Sequence, residues 1–156
     1  MAKETMLSFL EKQMENKLAD YETALDWDVK NHTFEIIVQL FAENRSQEVI
    51  NDVQGVISDK EVIEFEDAIL LYDPQKSQFN PDDFLAVLPF KGKKGMEQNK
   101  IAGLVDYVKE ILDEGQSDLL DFLTSEEETF ELTFDSKAFE TYVKKSPSTY
   151  LPYPNY

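Results

Sequence analysis

Apolar residues recur along this chain with two different periods, and the switches between them divide it into elements. Over residues 5–19, Leu7, Leu10, Met14 and Leu18 lie on one stripe of a 3.6-residue period, with Glu11, Lys12, Glu15 and Lys17 opposite. This predicts an amphipathic helix. The period then drops to two. In 24–30, Leu25, Trp27 and Val29 alternate with Asp26 and Asp28. In 33–42, Phe34, Ile36, Val38 and Leu40 form one face, and Glu35, Ile37, Gln39 and Phe41 the other. Lys30-Asn31-His32 separates the two runs, and Asn tolerates a left-handed turn, so a β-hairpin is expected. Residues 45–60 fit both periods, with a strand near 47–53 preferred. Residues 61–72 read as a long strand carrying Ile63, Phe65, Ile69 and Leu71 on one face, stopped at Asp73-Pro74. Phe84 to Leu88 is apolar on both faces, which predicts a short buried strand ended by Pro89.

Beyond Gly95 the helical period returns in Ile101, Leu104, Val105, Val108, Ile111 and Leu112, with Gly115 placed to cap the C-terminus. Ser117 suits the cap of a short helix carrying Leu119, Leu120, Phe122 and Leu123. Phe130, Leu132 and Phe134 alternate as a last strand, and a last helix starts near Ser136. The class implied is α+β: a mostly antiparallel sheet of four to six strands with helices packed on one face. No internal repeat or linker divides the chain. A single domain over 1–145 is expected, followed by a Pro/Tyr-rich tail over 146–156.

Composition narrows the chemistry. The 156 residues hold 32 acids against 15 Lys and Arg, a formal charge of −17, with 42% hydrophobic residues and no cysteine. Such apolar content supports a folded core and not an acidic disordered chain. Without cysteine there is no disulfide, thiolate nucleophile or Cys-ligated metal. The acidity argues against nucleic acid and anionic membranes as partners. The charge is uneven: residues 61–90 hold seven acids and one base, 111–140 hold ten acids and one base, and 91–110 hold five bases and three acids. The first apolar stretch is too short for a signal peptide and no run reaches the ~18 residues of a membrane span. A cytoplasmic protein is expected.

Four places carry candidate chemistry. Asp26 and Asp28 flank Trp27 and point the same way on a strand. Two such carboxylates suit a hard cation or an acid–base pair, although a solvated outer face explains them as well. Glu64, Glu66 and Asp67 form a second cluster. Strict alternation puts Asp67 on the apolar face, where it is either a tuned acid or rotated outward by a β-bulge or an edge position. Lys91, Lys93 and Lys94 make a basic island ahead of the strongest helix, placed for an anion or phosphoprotein contact, or simply a solvated loop. The spacing is not that of a P-loop. Tyr150, Tyr153 and Tyr156 in the tail suit either a groove on a partner or packing back on the domain. His32, the lone histidine, sits in a turn, which argues against catalysis.

The segments ALDWD with KNH at 24–32, EFEDAILLYDPQKSQF at 64–79, DDFLAVLPFKGKKG at 82–95, EGQSDLLDFLT at 114–124 and the terminal PYPNY together resemble the Firmicutes domain-of-unknown-function family 3013. The resemblance spans nearly the whole chain. It implies a small cytosolic protein of lactic-acid bacteria and relatives, and it brings no activity, cofactor or catalytic residue.

The function expected from the residues is a non-enzymatic protein-binding or regulatory module, its acidic surface engaging a basic protein. No cofactor, metal or catalytic residue is assigned. The alternative is a carboxylate-based or metal-dependent hydrolase drawing on Asp26, Asp28, Glu64, Glu66 and Asp67. That reading requires these carboxylates to converge in a pocket. The oligomeric state is not set by the sequence.

Overall fold

A computed structural model describes residues 4–43, 62–122, 131–145 and 148–154. Helix α1 (Met6–Lys17) opens the fold. Thr5 caps it through a reciprocal box: its hydroxyl accepts from the Ser8 N–H, and the Ser8 hydroxyl accepts from the Thr5 N–H at 2.8 Å. The buried stripe is Met6, Phe9, Leu10 and Met14, continued by Leu18 just past the helix; of the expected stripe only Leu7 sits at the margin.

Strands β1 (Glu22–Asp28), β2 (Thr33–Glu43), β3 (Val62–Tyr72) and β4 (Ala86–Pro89) form one sheet in that order. The first two pairings are antiparallel, and β4 runs parallel to β3. The α+β class therefore stands, and the sheet is mixed: two of its three pairings are antiparallel, in keeping with the mostly antiparallel sheet expected, and the third is parallel. Hydrophobic alternation marks a strand without giving its direction. The connection over 73–85 has the dozen or so residues a parallel crossover needs.

Burial alternates as the period of two requires. Phe34, Ile36, Val38 and Leu40 are at most 2% exposed, and Asp26 and Asp28 face outward. In the hairpin turn it is His32, not Asn31, that takes the left-handed conformation, at φ 56°. The β2–β3 register runs without interruption from Thr33↔Tyr72 to Glu43↔Val62. No bulge turns Asp67 outward. It lies on the core side opposite Val38, just before the β3–β4 pairing begins at Ile69.

Helix α2 (Gln98–Phe122) is a single element where two were expected. Gly115 does not cap it. The glycine is buried in mid-helix, where a Cβ would come within 2.4 Å of the Leu132 side chain and 3.1 Å of Leu40. It serves close packing of α2 on β2 and the segment around Leu132. Residues 131–135 are not strand; Leu132 and Phe134 nonetheless pack into the core. Helix α3 (Ser136–Tyr142) starts at the expected place, capped by Asp135. The expected strand near 47–53, Leu123, Phe130 and Tyr156 lie outside the described residues.

The tail completes a second, two-stranded sheet. Strand β6 (Tyr150–Leu151) pairs antiparallel with β5 (Met96–Glu97). Leu151 and Tyr153 are buried in the same apolar cluster as α1, the sheet and α2. No described helix is long and apolar enough to cross a membrane.

Candidate functional site

The second face of the sheet, turned away from the apolar cluster, carries the carboxylates. The hairpin register sets Asp26 directly opposite Glu35 and Asp28 opposite Thr33. Segment 73–85 folds over one end of this face. The wall it makes is braced: Asn31 and Gln78 exchange two hydrogen bonds, with the Asn31 side-chain amide donating to the Gln78 carbonyl at 2.7 Å and the Gln78 N–H donating back at 2.8 Å. The Ser77 hydroxyl donates to the His32 carbonyl at 2.9 Å. Phe79 packs against Tyr72 and Phe84.

Between wall and sheet lies a groove of about 260 Å³. Asp26, Asp28, Glu35 and Asp83 line it, along with Leu70, Phe79 and Phe84. Burial raises the Glu35 carboxyl above its usual range, and the Asp26 and Glu66 charges add to the rise. No lysine or arginine forms a salt bridge with Asp26, Asp28, Glu35 or Asp83 among the described residues. The Asp28 carboxylate accepts from the Lys30 and Asn31 N–H groups, both at 3.1 Å, which fixes the hairpin turn.

The other candidates are placed elsewhere. Glu64 and Glu66 share this face, farther along β3, where Glu66 accepts a hydrogen bond from the Gln39 amide at 3.3 Å. Asp67 is on the opposite face. Burial raises its pKa, while the Ala68 and Leu85 N–H groups pull it down; the Ala68 contact is 2.8 Å. Its carboxylate thus helps fix the chain where β4 joins. Among the described residues no group of three or more His, Cys, Asp and Glu is arranged to hold a metal ion.

Lys91, Lys93 and Lys94 occupy the tight turn ahead of β5, where they meet the tail. The Lys94 ammonium sits 4.2 Å from the Tyr150 ring centre and that of Lys91 5.3 Å. The Tyr153 N–H donates to the Lys93 carbonyl at 3.2 Å. The first N–H groups of α2 are also engaged by the tail: Gln98 donates to the Thr149 carbonyl and Asn99 to the Ser148 hydroxyl, each at 2.9 Å. Tyr153 is 4% exposed, accepts a hydrogen bond from the Trp27 indole at 2.8 Å, and packs on His32, Phe34 and Phe90.

Sequence reasoning did not single out Glu35, Asp83, Phe79 and Phe84. Glu35 was within reach: a hairpin closing at Asp28↔Thr33 forces Asp26↔Glu35. The wall residues were not, because nothing local says which way a polar loop folds.

Residues 1–155 match the family described as "Protein of unknown function (DUF3013)". The chain belongs to that family. Its fold is similar to a crystal structure of a conserved protein of unknown function from Enterococcus faecalis, with a TM-score of 0.87 and 47% identity. That likeness covers 99% of this chain and 98% of the other. No curated protein matches. Family and neighbour are both without an assigned function.

Proposed function

We propose that this DUF3013 protein is a non-enzymatic binding module for basic protein segments, acting in the cytoplasm through the acidic second face of its sheet. One observation carries this reading: four carboxylates, on three separate stretches of chain, converge on a groove that has apolar and aromatic walls, with no lysine or arginine salt bridge to them among the described residues. Carboxylates supply the charge, and Phe79, Phe84 and Leu70 supply surface for the aliphatic stem of a lysine or arginine. The finer architecture supports it too. Helices gathered on the Phe34–Leu40 side leave the other face for a partner. With a charge of −17, the protein attracts basic partners and repels nucleic acid.

The test is calorimetric titration with an oligolysine and an oligoglutamate peptide of equal length across a salt series. Binding of oligolysine only, weakening as salt rises and lost in the D26K/D28K double variant, is the expected result. Salt-independent binding, or binding unaffected by the double variant, would remove the proposal.

A second reading has one observation in its favour. Glu35, with its raised pKa, faces Asp26 across the strands, as an acid–base pair would. Slow hydrolysis of chromogenic esters or glycosides that vanishes in Glu35→Gln would support this reading over the first.

A further inference from the structure

The four-stranded sheet has two outer edges, and they are protected unequally. On one side β4 is four residues long and ends in Pro89, which removes a backbone donor and stops further pairing. On the other side β1 offers seven residues, Glu22–Asp28, with no proline and no bulge. Among the described residues its backbone pairs only with β2. Alongside it runs a groove of about 270 Å³ between β1 and α1, floored by Met14, Leu18 and Leu25 and rimmed by Glu11 and Glu15.

We infer that the outer edge of β1 accepts an extended segment of a basic partner protein as a fifth strand of the sheet. This rests on the binding function proposed above and specifies how the partner is held. A strand has a period of two. Laid beside β1, alternate side chains of the incoming segment enter the α1–β1 groove, where Met14, Leu18 and Leu25 call for apolar residues. The intervening side chains fall on the second face beside Glu22, Asp26 and Asp28, all exposed, which call for lysine or arginine. The motif recognised is thus alternating apolar and basic. Main-chain hydrogen bonds supply affinity and the alternating sites supply specificity.

Charge also decides against a second copy of this chain as the occupant. Pairing β1 with β1 antiparallel over its full length would set Glu22 of one copy opposite Asp28 of the other, with the two Asp26 residues diagonal to each other, and like charges across strands are destabilising. The carboxylates that guard this edge against self-association are those that select a basic strand.

The test uses unmodified protein and three capped eight-residue peptides: one alternating Val and Lys, one of the same composition with the residues in two blocks, and the alternating peptide N-methylated at every second backbone nitrogen. Trp27, the single tryptophan, lies on β1 and reports binding by its emission. Amide hydrogen exchange of residues 22–28 reports strand pairing. We expect the alternating peptide to bind at least about tenfold more tightly than either of the others, and to slow exchange along β1. Equal affinity for all three, with no protection of β1, would overturn strand addition while leaving the acidic-face function standing. Failure of every basic peptide to bind at low salt would remove both. Slowed β1 exchange that depends on protein concentration, without peptide, would assign the edge to a second copy and overturn the inference.

Discussion

The acidic groove and the basic island are both dense clusters of one charge, and the fold treats them in opposite ways. Two of the three lysines have their charges engaged within the chain. Lys91 and Lys94 lie over Tyr150, and the Lys93 carbonyl takes the Tyr153 N–H. The helix N-terminus beside them, a ready anion site, is occupied by acceptors from Thr149 and Ser148. The carboxylates of the second face have no such lysine or arginine partners among the described residues, and they repel one another. A charge cluster in a sequence therefore does not mark a binding site. What distinguishes the two is whether another part of the same chain reaches the cluster.

This contrast breaks most visibly at the tail. Gly95 has φ 81°, and a Cβ there would come within 1.8 Å of the Leu151 carbonyl oxygen. Gly95→Ala is expected to cost about 3 kcal/mol and to release β6, read by urea denaturation and by a changed Trp27 emission. Tyr153→Ala should cost a similar amount, about 3–5 kcal/mol. Tyr153→Phe, which keeps the ring and loses the hydrogen bond from Trp27, should cost about 1 kcal/mol. Equal losses for the two Tyr153 variants would mean that the ring contributes nothing by packing.

At the acidic groove the expected effects on stability are smaller and of opposite sign. The folded state holds the Glu35 proton up to a higher pH than the unfolded chain does. Its cost to stability is therefore full above the folded pKa and fades as pH falls toward the unfolded value. Thermal stability should rise on mild acidification from neutrality, and Glu35→Gln should raise Tm at pH 7 while flattening that slope. A fall in Tm for this variant at pH 7 would show the carboxylate to be structural. The smallest effect is expected at the basic island. Lys94→Ala removes one exposed cation–π contact and should cost about 0.5–1 kcal/mol, in contrast to the loss of binding expected when Asp26 and Asp28 are reversed.

What could be read in the sequence was whatever local periodicity or capping decides. The hairpin, the length of β3, the start of α3 at Ser136 and the outward pair Asp26 and Asp28 all follow from alternation or a cap. The failures share a cause. Gly115 looks like a helix stop, because a helical glycine usually costs stability. Only the approach of Leu132 and Leu40 explains a glycine inside α2. Asp67 looks like a bulge signal, because a carboxylate on an apolar face is costly. The structure instead leaves it only half-buried at the start of β4, with backbone N–H donors. The groove is legible in part. Its floor follows from the hairpin register, and its wall depends on Asn31 gripping Gln78 across 47 positions.

The hydrogen bond from Trp27 to Tyr153 spans 126 positions, and the Met6 N–H donates to the Pro152 carbonyl at 2.9 Å. On the ribosome these partners are made far apart in time. The hairpin and α1 are synthesised early, yet the aromatic cluster beneath Trp27 and the first turn of α2 lack their partners until residues 148–153 emerge. Nascent chains interrupted before that point would display an unfilled core to proteases and chaperones.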